Sequence, residues 1–317
     1  MSMNTEIYQD ISTRTAGDIY IGVVGPVRAG KSTFIKRFME TQVIPNIDNV
    51  YRRERAKDEL PQSGSGRMVM TAEPKFVPEE AVDIALDEGS SCSVRLIDCV
   101  GYMIPGAMGA EEEGKPRMVT TPWYDHEIPM TEAAEIGTRK VITDHATIGM
   151  VVTTDGSIAD LPRSAYVEAE DRVISELQAL GKPFVIVLNS AAPRTAEALQ
   201  LRESLESRHG VPVMLLNVKE MGLEDIQHVL ESVLLEFPVR EVRFTVPAWL
   251  HALEPGHWLV SHVMERVRSV GDEPRRMRES DVFQEAFAAS DYVPGLRQEG
   301  LMPGEGRIDF SLTLQDG

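Results

Sequence analysis

Residues 19–39 contain the feature that most restricts the fold of this chain, the pattern Gly-x-x-x-x-Gly-Lys-Ser. Gly25 and Gly30 allow the backbone to curve around an anion, and the amide groups of such a loop point at phosphate. Lys31 would reach the outer phosphates of a nucleotide, and the Ser32 hydroxyl would bind Mg²⁺. An apolar stretch precedes the loop and an apolar helical face follows it, which is the context of a P-loop. The sequence therefore predicts a nucleotide site.

Two further residues of this unit are candidate nucleotide contacts. Thr33 follows the predicted metal-binding serine at the start of the helix, where the positive end of the helix dipole favours phosphate. Arg28 lies inside the loop, and two alternatives stay open for it: contact with phosphate, or an exposed loop arginine. Both residues are included in the predicted nucleotide-binding set.

The charge of the chain limits its partners. The chain has 317 residues, with 32 Lys and Arg against 50 Asp and Glu, and a formal net charge of −18. A negative field of this size repels nucleic acid and the anionic surface of a bacterial membrane. We therefore predict no nucleic-acid partner, and contact with a membrane only through an adaptor.

The two cysteines, Cys92 and Cys99, fall near one predicted strand. Extended chain would separate them by about 23 Å at ~3.3 Å per residue, which is too far for a disulfide. Buried free thiols are typical of a reducing compartment, so the cysteines favour a cytoplasmic protein.

A second motif follows the apolar strand Ser93–Ile97, where Asp98 is followed three residues later by Gly101. An aspartate at a strand end fits a Walker B residue that holds the hydration shell of Mg²⁺, and the Gly101 amide would meet the γ-phosphate. The pattern Asp-x-x-Gly is weak alone, and the alternative is a strand-end turn. Its order and spacing after the P-loop favour the functional interpretation.

The segment 58–74, whose first half is rich in glycine and small polar residues, lies where P-loop GTPase-like domains have their first switch. Thr71 would sense Mg²⁺ and the γ-phosphate there, and the alternative is an ordinary strand threonine. We therefore predict Lys31, Thr71 and Asp98 as catalytic residues. The predicted metal ligands are Ser32, Thr71 and Asp98.

Helices and strands alternate along the rest of residues 1–238, which predicts an α/β P-loop NTPase of the GTPase-like kind with a doubly wound, mainly parallel sheet. Phe76–Leu86 and Ser93–Ile97 are predicted strands that could form a hairpin. The long irregular stretch 101–130 is interpreted as an enlarged second switch. Residues 239–317 are predicted to form a smaller second domain. We expect it to be incomplete, because the strand Ile308–Leu314 has no evident partner.

In GTPases, the strand that ends near residue 189 continues as Asn-Lys-x-Asp, and the aspartate pairs with guanine. Here the order is Asn189-Ser190-Ala191-Ala192, without the lysine and the aspartate. Guanine therefore loses its specific partner, and the sequence favours ATP. Asn189 is a candidate nucleotide contact, with a simple strand-end turn as the alternative.

Several longer stretches are more specific than a P-loop. They are Gly17–Gly25, Arg28–Lys36, Asp58–Ser63, Glu73–Pro78, Asp98–Tyr102, Thr121–Tyr124, Glu132–Val141 and Thr153–Gly156. Through them the chain resembles the stage IV sporulation protein A family, the morphogenetic ATPases at the base of the spore coat in endospore-forming bacteria. The similarity covers nearly all of residues 5–240 and thins beyond them.

The resemblance implies ATP and Mg²⁺ as cofactors, and ATP hydrolysis coupled to self-assembly into a static coat layer. It also implies a place in the mother-cell cytoplasm, at the outer membrane surface of the forespore. The implied partners are further copies of the chain, other coat proteins and a small amphipathic membrane peptide, stage V sporulation protein M. This need for an adaptor agrees with the acidic charge.

The chain departs from the family in two respects. Ala72 follows Thr71 where members of the family usually carry a second threonine, and the family has a longer C-terminal region. We therefore expect this chain to hydrolyse ATP but to polymerise poorly. Two other functions stay open: a regulatory GTPase-type switch, and a structural protein that binds nucleotide without turnover.

Overall fold

The computed structural model describes residues 5–61, 73–85, 91–107, 109–112, 114–271, 275–288 and 295–313. The predicted sensor Thr71 and its neighbour Ala72 lie outside the described residues. The chain divides into two compact units, Met1–Val233 and Leu234–Gly317. None of the helices in the described ranges has both the length and the apolar character needed to cross a bilayer.

A six-stranded sheet forms the centre of the first unit. Its strands are β1 (Asp18–Val24), β2 (Lys75–Ala85), β3 (Ser91–Asp98), β4 (Ile148–Thr154), β5 (Phe184–Asn189) and β6 (Val213–Leu216). The strand order is β6-β5-β4-β1-β3-β2. Neighbouring strands are parallel except for the antiparallel pair β2 and β3. This is the predicted α/β fold of a P-loop NTPase, with its mainly parallel sheet.

Helices of the first unit alternate with these strands. They are α1 (Thr5–Thr15), α2 (Lys31–Phe38), α3 (Val50–Asp58), α4 (Met130–Lys140), α5 (Val167–Ala179), α6 (Ala196–His209) and α7 (Leu223–Leu235). Shorter helical turns span Met39–Val43, Ile44–Asn46, Val141–His145 and Arg163–Ala165. Every residue of β4 and β5 is buried, as expected for central parallel strands with both faces covered. The apolar residues of α5 at helical spacing, Val173, Ile174 and Leu177, are buried as well.

The stretch that joins β3 to α4 has little regular structure, as the sequence predicts. Two small antiparallel ladders interrupt it, Glu111–Glu112 with Lys115–Pro116 and Met118–Val119 with Ile128–Pro129. Its beginning is held in the protein interior, since Tyr102 is only 1% exposed. Cys92 and Cys99 are free buried thiols.

The second unit contains a three-stranded sheet and two helices. The elements are β7 (Glu241–Thr245), α8 (Trp258–Gly271), α9 (Asp281–Ala288), β8 (Gly295–Met302) and β9 (Arg307–Thr313), with short turns at Ala248–Ala252 and Met277–Glu279. β9 lies between β7, to which it is parallel, and β8, to which it is antiparallel. Its core includes the buried rings of Phe283, Phe287 and Phe310.

One expectation about this unit is wrong. The strand near residues 308–314 has its partners within the chain, because β7 and β8 flank it. The sequence alone does not predict β8, because Gly300 and two charged residues, Arg297 and Glu299, interrupt its strand pattern. A bulge also breaks its register between Gln298 and Gly300. Two side chains of the charged segment 275–278 form ion pairs within this unit. Arg276 and Arg278 both form ion pairs with the buried Glu236.

Candidate nucleotide site

The phosphate loop, residues 25–32, connects β1 to α2 at the carboxyl end of the central strand. Its backbone enters the left-handed region at Gly25 (φ 136°), Arg28 (φ 62°) and Gly30 (φ 101°). A Cβ at Gly25 would lie 2.2 Å from the Val152 carbonyl oxygen, and one at Gly30 would lie 2.3 Å from Asn189 Nδ2. Only glycine fits these two positions. Such alternation of backbone handedness turns successive amide groups toward one anion-binding concavity.

Lys31 lies inside the loop that it is predicted to complete. Its side chain is buried, and Nζ donates hydrogen bonds to the carbonyl oxygens of Pro26 at 2.6 Å and Gly25 at 3.3 Å. Burial lowers the pKa of the ammonium group, and the nearby Asp98 carboxylate opposes that shift. Neither of these two hydrogen-bond acceptors is a carboxylate, so the charge remains available to an anion that enters the loop.

Asp98 and Ser32 form the second part of the site. The parallel register pairs Val23 with Asp98, which places the carboxylate beside the start of the phosphate loop. Ser32 Oγ donates a hydrogen bond of 2.8 Å to Asp98 Oδ2. The other carboxylate oxygen, Oδ1, is buried without a hydrogen-bond partner among the described residues. Burial raises the pKa of Asp98, against the opposing effects of Lys31 and Ser32.

This pair fits Mg²⁺. A carboxylate oxygen and a hydroxyl oxygen are donors that the ion prefers, and Mg²⁺ sites commonly use few protein ligands together with water and phosphate. The unpaired Oδ1 of Asp98 would gain a partner on binding the ion. The roles of Ser32 and Asp98 as ligands stay predictions, and the third predicted ligand, Thr71, lies outside the described residues.

The segment after Asp98 lies directly against the phosphate loop. Gly101 has φ 89°, and a Cβ there would be 2.1 Å from the Gly25 carbonyl oxygen and 2.4 Å from Lys31 Nζ. The Tyr102 amide donates to the Gly25 carbonyl at 3.2 Å, and the Val27 amide donates to the Tyr102 carbonyl at 2.9 Å. The two motifs therefore form one structural unit. Contact of the Gly101 amide with a γ-phosphate stays a prediction.

Tyr102 connects this unit to two helices, a role that the sequence alone does not predict. Its hydroxyl donates to Glu176 of α5, and the Arg172 guanidinium lies 4.6 Å from the centre of its ring. Arg172 in turn donates to Glu135 of α4 at 2.8 Å. The sequence feature that could have indicated this role is the position of Tyr102 directly after Gly101. These contacts provide a physical path from the phosphate loop to the outer helices.

Asn189 supports the loop from the end of β5. Its Nδ2 donates to the Ala29 carbonyl at 3.1 Å, and its Oδ1 accepts from the Val218 amide at 3.2 Å. The buried side chain thus joins β5, the phosphate loop and the segment after β6. Because both ends of the amide are bonded within the protein, a direct contact of Asn189 with nucleotide stays a prediction.

The residues after Asn189 are fixed by other bonds within the protein. Ser157 Oγ accepts a hydrogen bond from the Ala191 amide at 2.8 Å, and Ser190 Oγ accepts one from the Ala192 amide at 3.0 Å. Ala192 stands where GTPases place the aspartate that recognises guanine, and it carries no acceptor. The structure thus brings together the predicted site residues that it describes: Gly25, Arg28, Gly30, Lys31, Ser32, Thr33, Asp98, Gly101 and Asn189.

Residues 2–238 match the family model "Stage IV sporulation protein A, ATPase domain", and residues 239–317 match "Stage IV sporulation protein A, middle domain". The stage IV sporulation protein A of Bacillus anthracis is 49% identical over 311 residues, which cover 98% of this chain and 63% of that protein. The one from Clostridioides difficile is 49% identical over 315 residues, 99% of this chain and 64% of that protein. The chain therefore spans less than two thirds of the length of these relatives.

Among solved structures, the FeoB G-domain of Methanococcus jannaschii aligns over 68% of this chain and 98% of that domain, with a TM-score of 0.31 and 14% identity. We infer nothing from a similarity at this level. The strand order and the phosphate loop define the fold of the first unit.

Proposed function

Because the chain belongs to the stage IV sporulation protein A family, we propose that it hydrolyses ATP and that this reaction drives self-assembly of the base of the spore coat. The observation that carries the proposal is the pairing of Ser32 with Asp98 beside the phosphate loop. It joins the residue after the P-loop lysine to the end of β3, as metal-assisted phosphoryl transfer requires.

Each residue of the site would have a distinct role in ATP hydrolysis. The loop amides and Lys31 would bind and orient the phosphates, and Ser32 and Asp98 would hold Mg²⁺. The bound ion would supply positive charge to the phosphate oxygens. Position 101, which only glycine fits, brings the segment after Asp98 against the Gly25 carbonyl and Lys31, and from there the Gly101 amide would meet the γ-phosphate.

ATP is the proposed substrate because of the residues after Asn189. A guanine base in this site would find no carboxylate at position 192, and an unpaired base edge costs about 1–3 kcal/mol in a desolvated pocket. This preference distinguishes the proposal from a regulatory GTPase switch.

Self-assembly requires that acidic surfaces come together. A chain of net charge −18 repels its copies at low salt, so we infer that nucleotide turnover exposes complementary surface. The stretch 101–130 would carry this change, since it begins at the phosphate loop and its Tyr102 contacts α5. Further proposed partners are other coat proteins and, as a membrane adaptor, a small amphipathic peptide of the stage V sporulation protein M kind. The proposed location is the mother-cell cytoplasm, at the forespore surface.

Sedimentation tests the link between hydrolysis and assembly. The chain would be incubated with Mg²⁺ and either ATP or a non-hydrolysable analogue, and the Asp98→Ala variant would be incubated with ATP. We expect a larger pelleted fraction for the unmodified chain with ATP than for the other two samples, even where that fraction is small. Equal fractions in all three samples would mean that nucleotide has only a structural role.

A further inference from the structure

Three basic side chains in or near the phosphate loop differ in the hydrogen bonds and ion pairs that they form within the protein. Lys31 donates to two loop carbonyls. Arg163 donates to both carboxylate oxygens of the fully buried Glu170, at 2.5 and 2.8 Å, so its charge is neutralised inside the protein. Arg28 has neither a hydrogen bond nor an ion pair with any residue in the described ranges. Its guanidinium is therefore available to a ligand.

The backbone at Arg28 is unfavourable for an arginine. Its φ of 62° lies in the left-handed region, which has a conformational cost for a residue with a Cβ. Glycine would adopt this conformation without that cost. Local strain of this kind is characteristic of functional sites. The loop thus has a long cationic side chain at a position where its own backbone favours glycine.

Burial indicates the direction of the Arg28 side chain. Its neighbours Val27 and Ala29 are 1% and 0% exposed, whereas Arg28 is only half-buried, so it extends from the loop away from the apolar core. Tyr166, next to the start of α5, lies within its electrostatic reach: burial raises the pKa of the Tyr166 phenol, and the Arg28 charge opposes that rise. The Tyr166 hydroxyl is itself buried without a hydrogen-bond partner among the described residues.

We propose that Arg28 is a catalytic residue that the phosphate loop supplies in cis, with its guanidinium on the γ-phosphoryl oxygens in the transition state. The inference rests on the proposed ATP hydrolysis. In that reaction a water oxygen bonds to the γ-phosphorus while the bond to the β–γ bridging oxygen breaks, and the electron pair of that bond stays on ADP. One proton of the water stays on the released phosphate and the other leaves to solvent. Arg28 transfers no proton and stabilises the charge that develops on the oxygens.

The Arg28→Gly variant tests this role, because glycine suits the loop backbone and removes only the side chain. We expect kcat for ATP to fall by about a hundredfold or more, with a much smaller change in KM. Arg28→Lys should recover only part of the rate, since an ammonium lacks the planar fork of guanidinium. Lys36→Ala is the matched control. It removes one positive charge from a partly exposed side chain of α2 and should leave kcat within about twofold.

Binding provides a readout that is independent of turnover. Aluminium fluoride with ADP imitates the transferring phosphoryl group, so the unmodified chain should bind fluorescent ADP more tightly when aluminium fluoride is present. In Arg28→Gly we expect ADP alone to bind as before, without this gain, and the melting temperature to stay equal or rise. If Arg28→Gly kept both the full increase in ADP affinity with aluminium fluoride and an unchanged kcat, the inference would be overturned and the proposed function would stand.

Two other results would also overturn it. Weaker binding of ADP alone, in proportion to the loss of kcat, would assign Arg28 to ground-state binding. Absence of phosphate release from the unmodified chain would instead contradict the proposed function, and with it the inference.

Discussion

The two ends of the candidate nucleotide site differ in what their polar groups contact. At the phosphate end, defined by residues 25–32 and 98–101, Asp98 Oδ1 is unpaired among the described residues. Within those same residues, Lys31 donates hydrogen bonds only to loop carbonyls. At the base end, defined by residues 189–192, the Asn189 side chain and the amides of Ala191 and Ala192 are bonded within the protein. The phosphate end has binding capacity left for a ligand, whereas the base end mainly supports its neighbours.

From this difference we expect the site to recognise phosphate and metal more strongly than the base. A carboxylate and an ammonium in a buried setting interact strongly with a charged ligand, because the low local dielectric strengthens their fields. A loop whose amides are already paired adds little to recognition of a base. Substitutions at the phosphate end should therefore have large effects, and substitutions at the base end should have smaller ones.

The largest effect is expected for Asp98→Ala. Loss of the carboxylate removes a predicted metal ligand, and kcat for ATP should fall by about a thousandfold while nucleotide affinity changes much less. Phosphate release and equilibrium titration would measure the two quantities. Thr71→Ala should act in the same direction, and a double variant should be far from additive if both residues serve one ion. Normal turnover in Asp98→Ala would remove this residue from the site.

Lys31→Ala should have the next largest effect, this time on binding. A charge-assisted hydrogen bond to phosphate contributes about 1.5–3 kcal/mol, so the Kd for ATP should rise about 10- to 100-fold. Titration with fluorescent ATP is the measurement, and Lys36→Ala again controls for the loss of one charge. Unchanged affinity would show that Lys31 is not the phosphate-binding lysine.

Asn189→Ala tests whether the base end acts by supporting the phosphate loop rather than by contacting the base. The change leaves the Ala29 carbonyl and the Val218 amide without their partner, which should lower the free energy of unfolding by about 1–3 kcal/mol. Thermal or urea unfolding would measure the loss. The affinities for ATP and GTP should fall to the same extent, about tenfold or less, because Asn189 acts on both nucleotides through its support of the phosphate loop. A loss confined to one nucleotide would instead indicate direct contact with the base.

The smallest effect is expected for Ala192→Asp, which adds a carboxylate at the position of the missing guanine partner. GTP should gain a few-fold in affinity relative to ATP, less than the ~1–3 kcal/mol of a fully made pair, because the lysine of the GTPase motif is also absent. Competition of labelled ATP by GTP measures the ratio. A gain for ATP, or no change at all, would contradict the placement of position 192 next to the base.

The phosphate end could be predicted from the sequence because its contacts follow from short local patterns. Gly25 to Ser32 is one continuous loop, and the place of Asp98 at a strand end fixes its position next to β1. The contacts of Tyr102 could not be predicted, since its partner Glu176 is 74 residues distant in the sequence. The hydrogen bond between them depends on how α5 packs against the segment after β3. The same holds for Asn189, whose role depends on Val218 and Ala29.

The second unit was less predictable for a related reason. β8 carries Gly295, Gly300 and charged residues, so its strand pattern is weak until β9 pairs with it. The buried Glu236 forms ion pairs with Arg276 and Arg278, which lie far from it in the sequence and offset the cost of burying its charge. Such pairs depend on tertiary packing rather than on local sequence.

Phosphate release with ATP and GTP side by side tests the central claim most directly. The unmodified chain would be assayed with each nucleotide in Mg²⁺, and again after the ion is chelated. We predict release from ATP that stops on chelation, and slower release from GTP at the same concentration. Equal or faster release from GTP would contradict the claim and favour a GTPase switch. No release from either nucleotide would contradict it as well, and would favour a structural protein that binds nucleotide without turnover.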